Sequence, residues 1–144
     1  MSELRALMEV FSEKTGNELR DICRENLEKL QDYFDETNAP DDFRANYAQG
    51  IWKLFVSADR RTRGDEYNLF IYSIGFTEEE FSKDAFFEMT NHGSDPDFVD
   101  WMVATTQKMP KSIHYAVCTI GLCILGVDED VTDEEEALLE RLLG

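Results

Sequence analysis

The sequence predicts an all-α, single-domain bundle of seven or eight helices with an internal pseudo-two-fold repeat, and three observations carry that reading. Apolar residues recur at helical spacing through most of the chain, and no stretch reads convincingly as a strand. Cap and break signals a few residues long separate the runs, so the connections are short. The segment from Ile120 to Gly144 has a degenerate second copy at Leu54 to Gly75.

Residues 2 to 14 form a short helix with a stripe of Leu4, Leu7, Met8 and Phe11. Thr15-Gly16-Asn17-Glu18 reads as a capping box, opening a helix that runs to about Asp35 with Leu19, Ile22, Cys23, Leu27, Leu30, Tyr33 and Phe34 on its apolar face. Ala39-Pro40 breaks it, because the residue before proline is pushed out of the α region. From Asp41 or Asp42 the pattern Phe43, Tyr47, Ile51, Leu54, Phe55, Ala58 makes a third helix, and about Gly64 to Ile74 a fourth, stopped by Gly75 as a left-handed C-cap.

Thr77 with Glu80 suggests a capping box that opens a helix carrying Phe81, Ala85, Phe86 and Met89. Asp95-Pro96 starts the next in the preferred way, an acidic cap followed by proline at the first helical position. That helix carries Phe98, Trp101, Met102 and Thr105 and stops near Met109-Pro110. Lys111 through Ile124 is the most continuously apolar segment, which predicts a central helix buried on most sides. Trp52, Trp101 and the phenylalanines are expected in the core.

In the repeat, sliding the chain by 69 residues lays Asp59 on Asp128, Glu66 on Glu135, Leu69 on Leu138 and Gly75 on Gly144. Apolar residues also fall on apolar residues at Phe55/Ile124, Val56/Leu125, Phe70/Leu139 and Ile74/Leu143. Both copies read apolar helix, acidic turn, apolar helix. The motif of an apolar residue plus Asp, a turn with a β-branched residue, then Glu, as in Val127-Asp128-Glu129-Asp130-Val131-Thr132-Asp133-Glu134-Glu135, resembles the TerB-like (tellurite-resistance protein B) family. Glu129 stands where that family has Gly, and the first copy departs further, with Arg60 at the Gly position and Thr62 at the Ile/Val position. The resemblance covers roughly residues 42 to 144 and leaves the helices within 2 to 36 as an extension of one domain spanning 1 to 144. It implies a non-enzymatic binding protein in a stress or tellurite-resistance setting, with a divalent cation at the acidic turns.

Composition bounds the alternatives. With 42% hydrophobic residues and ten Phe in 144 residues, the chain is long and apolar enough for a substantial core. No run approaches the length of a membrane span and no signal-peptide core is present, so a soluble, cytoplasmic protein is expected. Cys23, Cys118 and Cys123 lack CxxC spacing and read as reduced core residues. The net charge of -17, from 31 acids and 14 bases, opposes direct contact with nucleic-acid phosphates and suits a cation or a basic protein partner.

The candidate cation ligands are Asp59, Glu66, Asp128 and Glu135, with Asp65, Asp130, Asp133 and Glu134 as a second rank. Hard divalent cations need several oxygens converging on one point, which two acidic turns brought together can supply. Acids in a helix's first turn are equally explained as caps stabilised by the helix dipole. An EF-hand is excluded, since from Asp128 the sixth position is Asp133 where Gly is needed and the twelfth is Leu139 where Glu is needed.

Arg60, Arg61 and Arg63 either neutralise the acidic surface and a helix C-terminus or form a guanidinium patch for an acidic partner. In both cases they oppose a divalent ion beside Asp59. His92 and His114 stand alone and suggest surface or capping roles. No catalytic motif occurs, so an enzyme is not expected, although carboxylates alone could serve a hydrolase. The rival binding reading is an acidic interaction module, or a nucleic-acid-mimicking inhibitor, that occupies a basic partner.

Overall fold

Thr15 organises the first half of the bundle as its sequence predicts. Its side-chain oxygen accepts the Glu18 amide at 3.2 Å, while the Glu18 carboxylate accepts the Thr15 amide at 2.9 Å, which satisfies two orphan donors of the helix beginning at Gly16. In the computed structural model the described residues form eight helices, α1 Glu3–Ser12, α2 Gly16–Glu36, α3 Asp41–Ala58, α4 Gly64–Ile74, α5 Lys83–Thr90, α6 Pro96–Gln107, α7 Lys111–Gly126 and α8 Asp133–Leu143. The structure describes residues 3–58, 64–75, 77–90, 95–126 and 133–143, and among these there is no strand.

The turn between α2 and α3 is fixed by Arg44. Its Nε donates to the Ala39 carbonyl at 2.8 Å, one terminal nitrogen donates to the Phe34 carbonyl at 3.0 Å, and the other pairs with Asp35. Asn38, at φ 54°, takes the left-handed conformation that asparagine tolerates better than most residues. Gly75, at φ 86°, ends α4 in the same region, where it avoids a Cβ clash.

Two expectations need correction. Thr77 Oγ1 accepts the Glu80 amide and donates to the Glu80 carboxylate, both at 3.2 Å, but these bonds close an isolated turn. Helix α5 starts only at Lys83, and Ser82 caps it by accepting the Ala85 amide at 3.1 Å. In α1, Met8 and Phe11 are buried while Leu7 faces solvent with Val10.

Helix α7 is the centre of the bundle, and 12 of its 16 residues are buried. Its most extensive contact is with α2, and α1, α3, α6 and α8 also lie against it. The α1 and α2 helices, set apart by sequence as an extension, therefore share the core with residues of the repeat, among them Phe55, Phe70, Ile120 and Leu139. Small residues permit the closest approaches. A β-carbon on Gly121 would lie 2.6 and 2.7 Å from ring atoms of Phe55 on α3, and one on Gly126 would lie 2.9 Å from the Phe11 carbonyl oxygen on α1.

The neighbour relations nearly repeat when α1–α4 are exchanged with α5–α8. Helix α1 packs on α7 as α5 packs on α3, α2 on α7 as α6 on α3, α4 on α2 as α8 on α6, and α4 on α5 as α8 on α1. The exchange is inexact: α2 meets α7 over a much longer stretch than α6 meets α3, and α8 packs on α7 and α3 while α4 has no comparable contact with α3 or α7 among the described residues.

Candidate functional site

The two segments agree in burial at several of the paired positions, though not at Tyr67/Glu136, Ile71/Glu140 or Ser73/Leu142. Gly64 and Asp133, which open α4 and α8, and Ile74 and Leu143, which close them, are each 69 residues apart. Leu54 and Cys123, Phe55 and Ile124, Val56 and Leu125, Leu69 and Leu138, and Phe70 and Leu139 are all buried. Glu66 and Glu135 follow the same rule. Each is the third residue of its helix, and they are 1% and 0% exposed.

Among the described residues these are the two buried acids. Burying a carboxylate is costly unless the protein supplies compensating polar groups, and both glutamates take part in polar interactions. Their place in the first turn contributes, because the amides and dipole at a helix N-terminus favour negative charge. Glu66 and Glu135 lie on different helices, α4 and α8, and each offers hard carboxylate oxygens, the donor type that suits magnesium, calcium or manganese.

The remaining sequence candidates separate. Asp133 is solvent-facing and ion-paired to Arg5 of α1, which also donates through Nε to Glu136 at 2.7 Å. Those two acids hold the Arg5 guanidinium above its ordinary value. Glu134 is exposed. Asp65 lies in α4, while Asp59, Asp128 and Asp130 lie outside the described residues, as do Arg60, Arg61, Arg63 and His92. Among the described residues no three of His, Cys, Asp and Glu gather around one point. A cation set built on Glu66 or Glu135 therefore has to draw on the turn acids.

Sequence reasoning missed Arg5, Trp101 and His114. Arg5 sits on the first helix and its partners on the last, a pairing without local signal. Trp101, expected in the core, is 42% exposed. His114, expected at the surface or at a cap, is buried on α7, and neither ring nitrogen has a hydrogen-bond partner. The apolar run of α7 around it carried the signal for burial, against the surface or capping role expected of an isolated histidine.

The three cysteines are free and buried, as expected. Burial pushes the Cys118 thiol up to about 12, and a hydrogen bond with Cys23, together with burial, pushes the Cys123 thiol up as well. High thiol pKa values keep sulfur protonated and a poor metal ligand.

Among the described residues no helix is long and apolar enough to cross a membrane. The fold and site define an all-α bundle with two equivalently buried glutamates. No family model, curated protein or solved structure matches the chain.

Proposed function

We propose that the chain is a TerB-like, non-catalytic binding domain whose acidic turns hold a divalent cation, in the stress-response setting that the family resemblance implies. The observation that carries this reading is the matched burial of Glu66 and Glu135 in a chain whose other described acids are exposed or half-buried. A mere solvating surface has no use for a carboxylate at 0% exposure, whereas an ion site needs oriented, partly dehydrated oxygens. The near-repeating neighbour relations support a duplicated unit with one such glutamate in each half.

In this reading Glu135 and Asp128 form the stronger half. Asp59 is flanked by Arg60 and Arg61, whose charge already does part of what a cation would do. Asp133 is paired with Arg5 and is left out of the ligand set in this reading.

Thermal melts with magnesium, calcium, manganese and zinc, at fixed ionic strength, test the proposal. A bound ion raises the melting temperature by mass action, and Asp128→Asn should remove the rise while leaving the metal-free melt close to wild type. Glu135→Gln should also remove it. Equal shifts in wild type and Asp128→Asn would be general screening of a -17 surface and would overturn the site.

A further inference from the structure

We propose that the groove between α3 and α6 docks a basic peptide, which inserts one apolar side chain beside Trp101. This inference is independent of the cation reading.

Asn46, Gln49, Gly50 and Lys53 of α3, Met89 of α5, and Phe98 and Trp101 of α6 enclose a surface cavity of about 300 Å³. That volume is at the small end for ligand pockets and suits a single side chain. The walls are held from beneath. Tyr47 of α3 and Thr106 of α6 share a buried hydrogen bond at 2.5 Å, and Gly50 lets the helices approach so closely that a β-carbon there would meet Met102 Sδ at 2.8 Å. Trp101 is fixed by ring contacts to Phe43 at 6.3 Å and Phe98 at 6.4 Å, yet remains 42% exposed. A rigid, exposed tryptophan beside a preformed cavity is the usual composition of an interface hot spot.

The cavity wall itself carries one charge, that of Lys53, and the acids lie beyond it on the same two helices. Asp42, Asn46, Gln49 and Lys53 follow one another at helical spacing, so the exposed Asp42 continues the α3 wall. Asp97, also exposed, lies one turn before Trp101 on α6. The Phe98 ring already holds one ammonium, Lys53 Nζ at 4.4 Å from its centroid, and Trp101 offers a larger π-face to a second cation. A second copy of this chain, carrying -17 itself, would be repelled. Lysine or arginine flanking an apolar anchor satisfies the acids, the tryptophan face and the cavity together.

The test is selection of a randomised dodecapeptide display library on the immobilised protein, followed by binding measurements on the enriched peptides. The expected consensus is one Leu, Phe or Trp flanked by Lys or Arg. Binding should fall at least about tenfold in Trp101→Ala, the scale of an interface hot spot. It should fall similarly in Asn46→Arg, which obstructs the groove and repels the peptide from an exposed position. Replacing the anchor by Ala should weaken binding, and added salt should weaken it further. Peptides without basic residues, or affinities unchanged in both variants, or no enrichment, would overturn the proposal.

Discussion

Gly121 of α7 faces the ring of Phe55 of α3, so the two central helices meet where one of them has no side chain. Gly121→Ala would place a β-carbon 2.6 Å from a buried ring atom, and either the ring or a helix must move. Alanine favours the helix by about 1 kcal/mol over glycine, but overpacking typically costs about 1 to 3 kcal/mol. A lower urea midpoint is expected. Combining the change with Phe55→Leu should recover part of the loss in a double-mutant cycle.

Ile120, the residue before that contact, is fully buried in α7. Ile120→Ala should create a cavity and destabilise the fold by about 2 to 5 kcal/mol. Chemical denaturation measures it, and an unchanged midpoint would contradict α7 as the core helix.

Stability should fall in alkali. The folded Cys118 thiol stands at about 12 against an ordinary 9.0, so above pH 9 the unfolded chain loses the proton first. The contribution is fully present below pH 9 and is lost as the pH rises toward 12, by at most about 1.4 kcal/mol per unit for one thiol. Burial pushes the Tyr47 hydroxyl up too, adding a slope above its ordinary 10.0. Cys118→Ala should flatten, without abolishing, the decline of melting temperature between pH 9 and 11.

Arg5→Gln should loosen α1 first. It removes the pairs with Asp133 and Glu136 that fasten the first helix to the last. Hydrogen exchange at α1 amides should accelerate relative to α7 amides. Uniform acceleration through the bundle would mean that α1 opens only with the whole domain.

The fold was legible wherever the signal was local. The Thr15 box, the Asp95-Pro96 start and the Gly75 stop each encode their own backbone, and α4 spans Gly64–Ile74 as read. Helix α5 was misjudged because Thr77 and Ser82 both cap turns, and only packing decides which turn propagates. Trp101 has the residue type and spacing of a core position, yet it stands 42% exposed beside the cavity between α3 and α6, a placement that tertiary packing and not local sequence decides. Glu66 and Glu135 were singled out through the 69-residue sequence match. Their burial was not visible, since an acid in a helix's first turn is ordinarily solvated.

The placement of α7 against α1 and α2 has a consequence for the order in which the chain becomes stable. On a ribosome, Met8, Phe11, Leu19 and Cys23 emerge roughly a hundred residues before their partner helix, a delay of about 5 to 20 s at ordinary rates of synthesis. Early segments therefore wait with their apolar faces uncovered, and closure comes late through contacts distant in sequence. A nascent chain stalled before Lys111 should bind holdase chaperones and be cut by protease within α1 and α2. Extension past Gly126 should confer the first protection.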